Sequence, residues 1–225
     1  MGKKFIKTLK KQKPERLEYV VNISDTKKKR RFLNQVKKAV RSSIEYRDYI
    51  QFLKEHMDMD SCAFFNMVTS NTQNNNENKK VKIEIHHEPL TLDDIVSVVL
   101  EKQIQGGEEI NALYVAEEVM ELHYRNMVGL IPLSKTIHEL VHNTDKVPIP
   151  LYMCYGAYAD FFKEYAPYIS EGLMDKLERK MQLTKSITPE SFNAICKEFT
   201  YLEVDGRQDD VQKMETEEDE LADVA

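Results

Sequence analysis

The sequence predicts a mostly helical α+β protein, in which a β-hairpin followed by a helix forms the core and further helices are added. Two observations predict the helices: apolar residues recur every three or four positions over long segments, and capping residues precede several of these segments. A third observation predicts the strands. The segment Val81–Ile85 alternates apolar and charged side chains, which is the pattern of a half-buried strand.

Composition and patterning divide the chain into four predicted regions. Residues 1–57 form a basic, helical N-terminal region, and residues 58–146 form the core, with a helical insertion at about 91–126. Residues 147–202 form a C-terminal helical region. The acidic residues 203–225 are expected to be disordered, because they combine dense negative charge with few large apolar side chains.

The N-terminal region is predicted to contain one long helix over residues 27–56, or two shorter helices broken near Ser42 and Ser43. The apolar residues that define it recur every fourth position: Phe32, Val36, Val40 and Ile44. Its many cations are predicted to contact the phosphate backbone of a nucleic acid, and the alternative is a solvated helix face. The candidate side chains are Lys27, Lys28, Lys29, Arg30, Arg31, Lys37, Lys38 and Arg41.

The predicted hairpin consists of two short apolar segments. Cys62–Val68 and Val81–Ile85 are expected to pair as antiparallel strands across an asparagine-rich loop over residues 69–80. Farther along the chain, Thr91 and Asp94 have the spacing of a capping box, which predicts the start of a helix.

Composition also limits the class of protein. Hydrophobic residues make up 41% and charged residues 31% of the chain, and the formal net charge is −6, as in globular proteins with highly charged surfaces. No apolar run approaches the roughly 18 residues that a membrane span needs. The basic start is not followed by the apolar segment of a secretory signal, and the three cysteines are widely spaced. These features predict a cytoplasmic protein without a membrane partner.

Four of the six histidines lie in two short clusters, His86-His87 and His138-Glu-Leu-Val-His142. The i, i+4 spacing of His138 and His142 puts both imidazoles on one face of a helix, for which Ser134 is the predicted N-cap. Adjacent His86 and His87 point to opposite sides of a strand, so only one of them is expected to join a shared metal ion. The clusters therefore predict a metal site and one further histidine that is available for acid–base chemistry.

The order of these motifs resembles the HNH, or His-Me finger, endonucleases, whose ββα-metal core is a β-hairpin and a helix around a divalent ion. The matching residues are Ile85-His86-His87, Pro89, Gly129-Leu-Ile-Pro-Leu133, His138 and His142. The resemblance implies that His86 is a metal ligand and that His87 is the general base that activates water. It implies that His138 and His142 bind the metal and the scissile phosphate, with one Mg²⁺, Mn²⁺ or Zn²⁺ ion as the cofactor.

The sequence departs from that family at one central position. Gly129 stands nine residues before His138, where the family has an asparagine that orients the base histidine. Asn126 lies nearby and is the candidate replacement.

Three functions are compatible with these patterns. The first is an HNH-type endonuclease that hydrolyses phosphodiester bonds in nucleic acid, expected to be double-stranded DNA held by the basic helix. The second is a catalytically silent nucleic-acid-binding or assembly protein of the same fold, which Gly129 favours. The third is a zinc protease, because residues 138–142 fit the pattern H-E-x-x-H, with Glu139 as base and Glu164 or Glu171 as third ligand. The basic start, the asparagine-rich loop and the diverged motif suggest a bacteriophage gene product.

Overall fold

The α+β fold class predicted from the sequence is confirmed by the computed structural model. The structure describes residues 26–74, 79–107, 110–143 and 147–192. The predicted acidic tail over residues 203–225 lies outside these ranges, as does the predicted C-terminal region beyond residue 192. The described ranges are mostly helical and contain two short antiparallel sheets, one of which is followed directly by a helix.

Seven α-helices account for most of the described residues. They are α1 (Thr26–Ser42), α2 (Ile44–His56), α3 (Leu92–Gly106), α4 (Ala112–Tyr124), α5 (Lys135–Asn143), α6 (Tyr158–Tyr165) and α7 (Glu171–Lys185). Single-turn 3₁₀ helices lie at Leu151–Met153 and Ala166–Tyr168, and residues 189–192 are again helical. In the part of the chain that the structure describes, no helix combines the length and apolar character needed to cross a membrane.

The sequence left open one long helix or two, and the structure has two over the described residues 26–56, with the break at Ser43. Ile44, predicted to continue the apolar spacing of the first helix, instead begins the second helix and is 64% exposed. Ser43 is the N-cap of α2, and its hydroxyl accepts a hydrogen bond from the backbone N–H of Tyr46 at 3.0 Å. This bond satisfies one of the N–H groups that a helix start leaves without an intrahelical partner. The chain can therefore change direction at Ser43 without losing backbone hydrogen bonding.

The segment at about 91–126, predicted as a helical insertion, contains α3 and α4. The capping box at the start of α3 is formed in both directions: the Thr91 hydroxyl accepts from the Asp94 N–H, and the Asp94 carboxylate accepts from the Thr91 N–H. Gly107 follows α3 with a left-handed backbone at φ 67°, which glycine adopts without steric cost. Helix α4 begins at Ala112, after the N-cap Asn111.

Four short strands form two separate sheets. β1 (Gln73–Asn74) pairs antiparallel with β2 (Lys79–Lys80), within the segment predicted as a loop. β3 (Ile83–His87) pairs with β4 (Leu130–Ser134). These two strands run antiparallel, because the Glu88 N–H donates to the Gly129 carbonyl at one end and the Lys135 N–H donates to the Lys82 carbonyl at the other.

The strand predicted over Cys62–Val68 is wrong, and β3 takes β4 as its partner instead. The Cys62 N–H donates to the Val68 carbonyl at 2.8 Å, and the Val68 N–H donates to the Phe65 carbonyl at 2.7 Å, so the segment closes on itself as a compact loop. Cys62 is buried, and the ring of Phe64 packs edge-on against Phe192 at 4.7 Å. Burial explains only part of its apolar character, because Met67 is 92% exposed. Its backbone groups pair within the segment and, through the Ala63 N–H, with the Pro132 carbonyl of β4.

The described contacts divide the chain into two compact units. Among the described residues, unit 1 comprises 26–59, Ile85–Ile131 and Cys154–Leu177, and unit 2 comprises Asp60–Glu84, Pro132–Met153 and 178–192. The core of unit 1 lies between α1, α3 and α4. Buried residues at its centre include Phe32, Val36, Val40, Val96, Val99, Val115 and Val119.

Candidate functional site

The two histidines of the H-x-x-x-H motif lie side by side on α5, in unit 2. Helix α5 begins directly after β4, and the Ser134 hydroxyl lies 3.5 Å from the Ile137 N–H at the helix start. One helical turn separates His138 from His142, and their Nε2 atoms are 3.1 Å apart. The convergence predicted from the i, i+4 spacing is therefore present.

Glu84 of β3 fixes the orientation of His138. Its carboxylate oxygen Oε2 lies 2.6 Å from His138 Nδ1, and its other oxygen accepts from the Lys82 ammonium at 2.5 Å. The Lys82 hydrogen bond is the largest cause that lowers the pKa of Glu84, and the His138 hydrogen bond lowers it further against the effect of burial. An ionised carboxylate can only accept, so the Nδ1–H of His138 is the donor, and the neutral ring carries its lone pair on Nε2.

This arrangement has the features of a histidine metal ligand. A ligating imidazole commonly donates its other ring N–H to a carboxylate, which sets the tautomer and the direction of the free lone pair. Glu84 does this for His138, and the pairing was not predicted from the sequence. The available signal was weak: Glu84 lies two residues before His86, so both side chains are on the same face of β3.

His86 and His87, the other predicted site residues, belong to unit 1 and are both buried. His86 Nε2 lies 3.5 Å from a carboxylate oxygen of Glu88, whose side chain is only 1% exposed. The assignments of His86 as a metal ligand and of His87 as a general base remain predictions.

His87 faces a second histidine, His123 of α4, in the interior of unit 1. Their Nε2 atoms are 3.0 Å apart, and His123 Nδ1 lies 2.6 Å from the Val119 carbonyl oxygen. A carbonyl only accepts, so His123 donates from Nδ1 and accepts at Nε2, which makes His87 the donor between the rings. Desolvation lowers the pKa of His87 well below its ordinary value and lowers that of His123 to about 4. Two neutral histidines thus satisfy each other inside the core.

Gly129 occupies a position where no side chain fits. A Cβ added there would lie 1.8 Å from the Glu88 carbonyl oxygen, which is the neighbouring backbone in the sheet. Asn126, the candidate replacement for the family asparagine, is instead a turn residue after α4. Its backbone has φ 59°, its N–H donates to the His123 carbonyl, and its carbonyl accepts from the Ala157 N–H. The close approach of the Glu88 backbone therefore accounts for glycine at position 129, and the turn with positive φ accounts for asparagine at position 126.

The cations predicted to contact phosphate lie on α1. Its buried face carries Phe32, Val36 and Val40, and the helix contains no acidic side chain. Six of the eight candidate cations are exposed: Lys27, Lys28, Arg30, Arg31, Lys38 and Arg41. The other two, Lys29 and Lys37, are half-buried, and the Lys37 ammonium pairs with Asp93.

The carboxylates that the zinc-protease hypothesis requires are engaged with cations. Glu139 forms an ion pair with Lys135 at 3.5 Å on the exposed side of α5. Glu164, one of the two suggested third ligands, accepts hydrogen bonds from both terminal nitrogens of Arg125, the shorter at 2.7 Å, in unit 1. Both are exposed ion pairs, Glu139 with Lys135 in unit 2 and Glu164 with Arg125 in unit 1.

A family model described as "Bacteriophage G278-like virion protein" matches residues 2–220, almost the full length of the chain. Neither the curated proteins nor the solved structures contain a match.

This match overturns the resemblance to the HNH endonucleases. The prediction of a nuclease, and of hydrolase activity on phosphodiester bonds, was wrong, because a virion protein family accounts for residues 2–220. The steric environment of Gly129 agrees, since the asparagine that the endonucleases need has no space there. The suggestion of a bacteriophage gene product is supported, and the alternative of an assembly protein agrees better with the match than an enzyme does.

Proposed function

The chain belongs to the family of bacteriophage G278-like virion proteins, and from this premise we propose that it is a structural protein of the particle that binds nucleic acid, double-stranded DNA in the first instance, through α1. As a phage product it would be made in the cytoplasm of the host cell and then assembled. The observation that carries the proposal is the exposed cationic face of α1, which has no acidic residue.

The spacing of the cations on α1 suits an extended polyanion. Lys27, Arg31, Lys38 and Arg41 recur at intervals of three, four or seven residues, so they follow one stripe of the helix. The stripe is about 21 Å long, because each helical residue adds about 1.5 Å. A groove beside its C-terminal end is lined by Lys38 and Arg41, and by Lys37, which pairs with Asp93 at the start of α3. Point charges on long side chains contact phosphates without reading bases, so we expect binding that is independent of sequence.

The test is a salt titration of DNA binding with a double variant, Lys38→Gln with Arg41→Gln. Each phosphate contact contributes about −0.9 to the slope of log K against log salt. The wild type should therefore bind random-sequence duplex DNA with a steep slope. The variant should bind more weakly at low salt, with a slope less steep by about 1.8.

The matched control removes two exposed cations of unit 1 that are not on α1, with Arg47→Gln on α2 and Lys163→Gln on α6. It should bind with the wild-type affinity and slope. If the control loses as much affinity as the α1 variant, net charge rather than α1 governs binding. If neither variant changes the slope, the proposal fails.

A further inference from the structure

We propose that His138 and His142 bind one first-row transition-metal ion, with Zn²⁺ as the reference ion, and that Glu84 is a positioning residue for His138. This inference goes beyond the proposed function. The three residues belong to unit 2, whereas α1 belongs to unit 1, so the two proposals can fail separately.

The distance between the two imidazoles suits a shared ion. Zn–N bonds are about 2.0–2.1 Å, so two nitrogens bound at a tetrahedral angle lie about 3.3 Å apart. The Nε2 atoms of His138 and His142 are 3.1 Å apart, and their ring centroids are 4.7 Å apart at an interplanar angle of 63°. The 3.1 Å contact is a hydrogen bond, in which His142 Nε2–H donates to the Nε2 lone pair of His138. An ion takes the place of that proton, so binding requires His142 to release it or to move it to Nδ1.

Glu84 prepares His138 for this role. Its 2.6 Å contact with Nδ1 selects the tautomer whose lone pair is on Nε2, the atom that faces His142. Lys82 holds the second carboxylate oxygen of Glu84 at 2.5 Å. Lys82 therefore holds the Glu84 carboxylate, and that carboxylate in turn holds the His138 imidazole.

The donor set selects the class of ion. Two imidazole nitrogens suit Zn²⁺, Cu²⁺, Ni²⁺ or Co²⁺, whereas Mg²⁺ and Ca²⁺ prefer oxygen ligands. Of the ions that the sequence pattern suggested, Zn²⁺ therefore fits best. His142 is exposed, so an ion can reach the pair from solvent, and further coordination positions are available to water or another ligand.

The experiment is a calorimetric titration of the full, untagged chain with ZnCl₂ after removal of bound metals. The wild type should bind one ion, and His142→Ala, which changes an exposed side chain, should lose at least about 100-fold in affinity. The control His56→Ala removes another exposed histidine, on α2, and should leave the titration unchanged. Equal binding by the wild type and His142→Ala, or no binding by the wild type, would overturn the proposal.

The positioning role of Glu84 is tested with Co²⁺, whose visible absorption reports its ligands. Glu84→Gln should bind Co²⁺ about 10–100-fold more weakly but show the wild-type band shape at saturation, since both ligands remain. A changed band shape, or unchanged affinity, would contradict that role. DNA binding by His142→Ala should equal that of the wild type, which separates a failure of this site from a failure of α1.

Discussion

At the scale of single residues, the clearest constraint lies at Gly129. The Glu88 N–H donates to the Gly129 carbonyl at 2.9 Å, and the Glu88 carbonyl oxygen occupies the space in which a Cβ would lie. The nearest obstacle is backbone, which cannot rotate away as a side chain can. A glycine at this position is therefore a requirement of the β3–β4 pairing.

We predict that Gly129→Ala destabilises the protein by about 3 kcal/mol, the upper end for overpacking, because β3 and β4 must separate locally. Urea denaturation measures this change. Gly172→Ala is the matched control, because nothing lies within 4 Å of its added Cβ and the residue is in α7. It should stabilise the protein by about 0.5–1 kcal/mol. Similar effects of the two substitutions would contradict the steric explanation.

The His87–His123 pair predicts a loss of stability in mild acid. Burial holds the folded-state pKa of both residues below the ordinary value of 6.5, and that of His123 at about 4. The unfolded chain therefore binds more protons than the folded chain between pH 6.5 and about 4. Stability is fully present above pH 6.5 and falls as the pH decreases, by roughly 3 kcal/mol for His123 over that window.

Urea denaturation at several pH values tests this dependence. The double variant His87→Leu with His123→Leu removes both rings together, so neither is left with an unpaired partner. It should lose less stability than the wild type between pH 6.5 and 4.5. The variant His56→Leu, in which an exposed histidine is removed, should keep the wild-type dependence. Parallel curves for wild type and double variant would show that this pair is not responsible.

At the scale of elements, the junction between α1 and α2 depends on one hydroxyl. Ser43 accepts from the Tyr46 N–H at 3.0 Å, whereas the hydroxyl of neighbouring Ser42 reaches only the Ala39 carbonyl, at 3.4 Å, from an exposed position. The two serines are adjacent in sequence but differ in what they stabilise.

We predict that Ser43→Ala lowers the free energy of unfolding by about 1 kcal/mol, the usual cost of losing an N-cap. Ser42→Ala is the control and should change it by less than about 0.5 kcal/mol. Thermal denaturation of both variants measures the difference. Equal losses would mean that the cap hydrogen bond does not stabilise the junction.

Patterns among residues close in sequence were sufficient to predict the helices, but they did not predict which strands pair with each other. The spacing of Phe32, Val36 and Val40 in α1, the serines near the break and the Thr91–Asp94 box each depend on neighbours in the chain, and the structure contains all three. The partner of β3 depends on residues far away in sequence. Cys62–Val68 forms a loop in which Cys62 and Phe64 are buried, and apolar composition alone does not distinguish such a loop from a buried strand.

In the candidate metal site, too, local spacing predicted some contacts, whereas contacts between residues distant in sequence were not predicted. The convergence of His138 and His142 followed from helical geometry, because both residues are on one turn of α5. Glu84 is 54 residues from His138, and no periodic pattern connects them. Likewise, the 36 residues between His87 and His123 gave no sign that the two rings would meet in the core.

At the scale of the whole molecule, charge is divided sharply between the two ends of the sequence. Residues 203–225 carry ten carboxylates and two basic side chains, so removing them changes the formal net charge from −6 to +2. Negative charge tethered to a protein reduces its attraction for a polyanion, and this effect is screened by salt.

We predict that a chain ending at residue 202 binds duplex DNA more tightly than the full chain at low salt. The two affinities should converge as the ionic strength rises, because screening shortens the range of the repulsion. Fluorescence anisotropy with labelled DNA measures both. A truncated chain of unchanged affinity at low salt would mean that the tail does not influence α1.

The cations of α1 also act on one another. Lys27 with Arg31, and Lys38 with Arg41, are like charges at helical spacings of four and three residues, and each such pair costs about 0.2–0.5 kcal/mol. No acidic residue of α1 offsets this repulsion. Added salt should therefore weaken DNA binding and at the same time stabilise the free protein. If α1 binds DNA as proposed, the phosphates would offset the repulsion between these cations, so bound DNA would stabilise the protein.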